Sequence, residues 1–92
     1  MQSIIGTIAE LSRASDVVNN EDTDDATADK NMAIVYEKED KLCRILKRLN
    51  GRAEKPDDDE RLAIYEVLFD PNDPPKFADK FKTRLYGLIH SF

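Results

Sequence analysis

Ninety-two residues, of which 36% are charged and 40% hydrophobic, with no Trp and three Gly, describe a single folded domain spanning 1–92 and exclude bulk disorder. A chain of this size buries only about two-thirds of the surface its unfolded form exposes, so little core is left over to build a deep active site. One cysteine, Cys43, excludes an internal disulfide framework; residues 1–12 read as no secretory leader and no stretch approaches a bilayer-spanning run, so a cytoplasmic protein without membrane association is expected.

The first predicted helix runs from Gln2 to Val18, because Ile4, Ile8, Leu11, Ser15 and Val18 recur at offsets of four and three and so share one stripe. Asn19 to Asp24 is polar and turn-prone, with Asp22 or Thr23 placed to cap the next helix. An unbroken helix would put Asp22, Asp25 and Asp29 on the buried seam, so a hairpin is expected instead.

The second helix is predicted from Asp25 to Asn50 and contains a turn with no apolar side chain, Glu37, Lys38, Glu39, Asp40 and Lys41. Ala28, Met32 and Val35 precede that turn on one stripe, and Leu42, Ile45, Leu46 and Leu49 resume it. Such a helix is roughly 37 Å long, whereas a globule of this chain length has a radius of gyration of about 12 Å. It must overhang its domain, bend at the charged turn, or meet a partner. Met32 to Tyr36 would also suit a short strand, but a lone strand has nothing to pair with.

Gly51 is placed to end the second helix, and Arg52 to Lys55 is linker. Asp57 and Glu60 have the spacing of a capping box for a third helix, Asp58 to Phe69. Asp70 to Pro75 holds three prolines and makes a rigid corner. Pro75 suits the first turn of a fourth helix, with Phe77, Phe81, Leu85, Leu88 and Phe92 on the main stripe and Tyr86 and Ile89 widening it. Six of the seven aromatic residues lie in the last third, so the core is expected on the C-terminal hairpin, with the N-terminal pair as an arm. The fold class is therefore all-α: a small four-helix domain of two hairpins with a long second helix.

Charge alternates in blocks: −6 over residues 1–37, +4 over 38–55, −6 over 56–73 and +3 over 74–92. Internal matching of these blocks is the simplest reading. The acidic runs Glu21–Asp29 and Asp57–Glu60 fall at helix starts, where carboxylates are stabilised; the alternative is imitation of a nucleic-acid phosphate row. Lys41, Arg44, Arg48, Arg52 and Lys55 make a basic run whose first three members lie along one side of the second helix, read as solvated, since an acidic total and the absence of interleaved aromatics disfavour nucleic acid.

No motif specifies a reaction. His90 and Cys43 are far apart in sequence and have no evident orienting group, the acidic run 20–31 fails the calcium-loop pattern at Asp25 and Asn31, and there is no phosphate-binding glycine loop or zinc spacing. The expectation is a protein that is not an enzyme and takes no cofactor or metal. It reads as a non-enzymatic protein–protein interaction module, a small regulator, adaptor or inhibitor of an unidentified protein partner. Its partner-binding residues are expected at Glu37, Lys38, Glu39, Asp40 and Lys41, and a two-fold homodimer is expected through Ile4, Ile8, Leu11 and Val18. An acidic nucleic-acid-mimicking inhibitor is the alternative, and a nucleic-acid binder using the basic face is the weakest reading.

Overall fold

Four helices account for the fold: α1 (Ile4–Asn19), α2 (Asp25–Gly51), α3 (Asp58–Leu68) and α4 (Asp79–Ile89). The structure is a computed structural model that describes residues 3–92, and no strand occurs among them; the expected start at Gln2 lies outside the described residues.

Local chemistry sets most of the boundaries. Ser3 caps α1 by accepting the Gly6 N–H on Oγ at 2.8 Å. A Cβ on residue 6 would stand 2.9 Å from that oxygen, which is why glycine suits this first turn. Asp24, not Asp22 or Thr23, caps α2: its carboxylate accepts the Thr27 N–H at 2.7 Å, and this bond holds its pKa below the usual value. At α3 the capping box is complete, with Glu60 N–H on Asp57 Oδ1 at 2.8 Å and Asp57 N–H on Glu60 Oε1 at 2.9 Å.

Two boundaries depart from expectation. The second helix runs through Gly51, and the left-handed residue that ends it is Ala53, with φ of 55°. Glu54 N–H bonds to Leu49 O at 2.8 Å and Ala53 N–H to Asn50 O at 3.1 Å, the pair of bonds that defines a Schellman ending. Helix α4 begins at Asp79 behind Ala78, so Pro75 lies outside it. Residues 70–78 are instead an ordered loop built on Asp70, whose side chain is only 1% exposed. Its Oδ2 accepts the Phe77 N–H at 2.9 Å, and its Oδ1 accepts from the Asn72 side chain at 2.8 Å, with Lys82 Nζ 3.9 Å away. Burial pushes the Asp70 pKa up, but the N–H donors of Phe77, Asn72 and Lys76 together outweigh it and leave the value lowered.

The helices form a ring in the order α1, α2, α4, α3, with α1–α4 and α2–α3 on the diagonals. The chain is thus two hairpins packed together, and the segment after α2 crosses one end of the bundle to reach α3. Helix α2 is unbroken over 27 residues, about 40 Å at 1.5 Å per residue, and accounts for most of the 43 Å long axis of the molecule.

Leu11 of α1, Leu42, Cys43 and Leu46 of α2, Ile64 of α3 and Leu85 of α4 are each 0% exposed and lie in one cluster. The core therefore belongs to both hairpins rather than to the C-terminal one. Of the C-terminal aromatics only Phe77 and Phe81 are buried, while Phe69 and Tyr86 face solvent. Lys76 binds the loop to the side of α1, with Nζ 2.7 Å from Asp16 Oδ1 and 2.6 Å from Ser12 Oγ. The Asn19 side chain adds a bond to Lys76 O at 3.1 Å.

Ala53→Gly is expected to stabilise the fold by about 1 kcal/mol, because alanine pays a left-handed penalty that glycine does not; the midpoint of urea unfolding measures it. Asp70→Ala is expected to cost about 1–3 kcal/mol at neutral pH by orphaning the loop N–H donors. Because the folded Asp70 value lies below the ordinary 3.8, the wild-type advantage is present above that value and fades as pH falls through the depressed one. Urea unfolding of both proteins at neutral and acidic pH follows the difference.

Candidate functional site

The charged turn of α2 is helical throughout, and two of its five side chains are engaged within the chain. Lys38 Nζ lies 2.6 Å from Glu10 Oε2 on α1, and Arg84 of α4 bonds to Asp40 Oδ1 at 2.9 Å. The first pair lowers the Glu10 pKa and raises that of Lys38; the second raises that of Arg84, in each case chiefly through the side-chain hydrogen bond. Glu39 is half-buried, and desolvation followed by the Asp40 charge pushes its pKa up. Glu37 and Lys41 reach the surface at the mouth of a neighbouring groove. The turn is thus an attachment point between helices: it gives the continuous helix a polar ring whose charges reach α1 on one side and α4 on the other.

The residues expected to form a homodimer seam are placed inside the chain. Ile4 is 1% and Leu11 0% exposed, and Ile8 and Val18 are half-buried against the same core. This stripe is covered by the protein's own helices.

Two other surfaces stand open. The first lies on α3 and α4, where Leu62 is 59%, Phe69 78% and Tyr86 56% exposed. Tyr65 bridges them: it lines one concavity with Leu62, Phe69 and Pro71, and a second with Phe69, Leu68 and Tyr86. The Tyr65 and Phe69 rings are stacked with centroids 6.1 Å apart, and Tyr86 stacks on His90 at 4.0 Å. Glu66, Asp79, Lys82 and Thr83 border the same concavities, giving a polar rim around an apolar centre. Counting aromatics toward the core hid this surface. The signal was there in α3, which carries two apolar rows: Ile64 with Val67 turns inward, and Leu62, Tyr65 and Phe69, at offsets of three and four, turn outward.

The second surface is a groove of about 840 Å³ between the start of α1, the last turns of α2 and the start of α3. Lys41, Arg44, Arg48, Arg52 and Lys55 line it, so the basic residues singled out in the sequence do converge. The acidic runs do not converge on a site of their own: Asp24, Asp57 and Glu60 are engaged in helix caps.

Cys43 is fully buried, and burial pushes its thiol pKa up, away from the thiolate that a nucleophile requires. His90 is exposed with Nδ1 3.2 Å from Tyr86 O. Among the described residues no three His, Cys, Asp or Glu side chains cluster as a metal site, and no helix is long and apolar enough to cross a membrane. No protein-family model, curated protein or solved structure matches the chain.

Proposed function

We propose that the chain is a non-enzymatic protein-interaction module, a small regulator or adaptor, that works through the exposed apolar face of α3 and α4 and uses it to bind a second copy of itself. The observation that carries this reading is that Leu62, Phe69 and Tyr86 stand exposed and are joined through the half-buried Tyr65. Soluble monomers rarely leave so connected an apolar surface uncovered, and interface centres are enriched in aromatic rings. Burying Phe69 alone would contribute about 1.5–3 kcal/mol.

Charge favours a second copy as the occupant. Helix α3 carries four acids and one base, and α4 one acid and three bases. A two-fold axis that lays α3 of one copy over α4 of the other sets a net-acidic helix against a net-basic one. This moves self-association away from the Ile4–Val18 stripe, which the fold already uses.

Light scattering over a concentration series is expected to show a monomer–dimer equilibrium for the wild type. Phe69→Asp combined with Tyr86→Asp is expected to give a monomer with an unchanged helical circular dichroism spectrum, since both side chains are exposed. A wild type that stays monomeric at high concentration, or a double variant that still dimerises, would refute the reading.

A further inference from the structure

The groove at the end of α2 has a second recognition chemistry, independent of the α3–α4 face. Lys41, Arg44, Arg48 and Arg52 follow one another at offsets of three, four and four, so they form a single row along α2. Successive charges are separated by about 4.5–6 Å along the axis, and the row is about 17 Å long. Among the described residues neither these four nor Lys55 takes part in an ion pair. Lys38, by contrast, is held by Glu10.

Three carboxylates, Glu37, Glu54 and Glu60, also line the groove, against five cations. Glu60 is already turned toward the Asp57 N–H in the capping box. The start of α1 opens into the same space through Ser3 and Ile4, and no acidic residue occupies its first turn. Its dipole is positive here and offsets the negative end of the α2 dipole, which lies on the same groove. Beneath the charges, Ile45 and Leu49 lie one helical turn apart and half-buried, and with Ile4 they supply an apolar floor.

We propose that this groove docks an acidic amphipathic helix from a partner protein, its carboxylates paired with the arginine row and its apolar side chains seated on Ile45 and Leu49. A facing helix that presents acids at i, i+3, i+7 and i+11 has the same repeat as the cationic row, and about three turns of it match the row's length. Its apolar stripe then covers the floor, as in other helix-in-groove complexes. Nucleic acid fits less well. The groove has no aromatic ring on which a base could stack, a phosphate backbone has no use for the apolar floor, and the chain's net charge of −5 opposes a long polyanion.

The probe is a fluorescein-labelled synthetic helix of about 18 residues with Glu on one face and Leu on the adjoining one. It is titrated with the full chain by fluorescence anisotropy, beside a scrambled peptide of equal composition and single- and double-stranded DNA oligonucleotides. Expected are a micromolar Kd for the designed helix, at least tenfold weaker binding of the scrambled peptide and of DNA, and a further tenfold loss for Arg44→Glu with Arg48→Glu. Both arginines are exposed, and circular dichroism of the variant checks that it is folded. The two-dimensional NMR spectrum of the labelled protein should shift at Lys41 to Lys55 on addition of the helix, and Phe69→Asp should leave binding intact. No binding below about 1 mM, equal affinity for the scrambled peptide, tighter binding of DNA, or indifference to the charge reversal would each overturn the proposal.

Discussion

Everything in this domain hangs on the middle of α2, where Leu42, Cys43 and Leu46 are completely buried directly after a turn of five charged residues. α2 and α3 each contact both α1 and α4, and α2 is by far the longer of the two. If the helix were to break at Glu37–Lys41, the apolar residues on either side would lose their common axis. The charged turn keeps the helix polar where its side chains reach the rims of the core, and Lys38 and Asp40 fasten it to α1 and α4. Exposed ion pairs of this kind add little energy. Their effect is on register: each pair suits one sliding position of α1 or α4 along α2, while the buried leucines supply the driving force.

The helical class, the two hairpins and the positions of most elements were legible in the sequence because each rests on local chemistry. The 4-3 spacing on α1 and α2, the Asp57–Glu60 box and the proline-rich corner are readable from neighbours in the chain. What escaped depends on partners distant in sequence. Asp70 organises its loop through Phe77, seven residues on, and Lys76 reaches back to Asp16 and Ser12 on α1. Pro75 could open a helix only if that loop did not exist. The aromatics misled for a related reason, since periodicity says that a stripe is apolar and not whether another helix is available to cover it. Helix α3 has two such stripes and α1 and α4 as neighbours, which cover Ile64 and Val67 but leave Leu62 and Phe69 in water.

The charge blocks resolve in the same terms. Two of the N-terminal acids are matched within the chain, Glu10 by Lys38 of α2 and Asp16 by Lys76 of the loop before α4, and the third block meets the fourth at Asp70–Lys82. The basic end of α2 lies beyond these contacts and keeps its charges free over an apolar floor. A small domain has too little interior to satisfy every charged and aromatic residue it carries. The two surfaces that remain, one aromatic and one cationic, differ in chemistry and suit different occupants.

Amide hydrogen exchange along α2, followed by NMR at single-residue resolution, tests the central claim most directly. A continuous spine predicts one stretch of slow exchange from Val35 through Leu46, with Lys38, Glu39, Asp40 and Lys41 protected to the same order as the buried leucines that follow. Fast exchange confined to Glu37–Lys41, with protected segments on either side, would show a helix that breaks at its charged turn and would contradict the account.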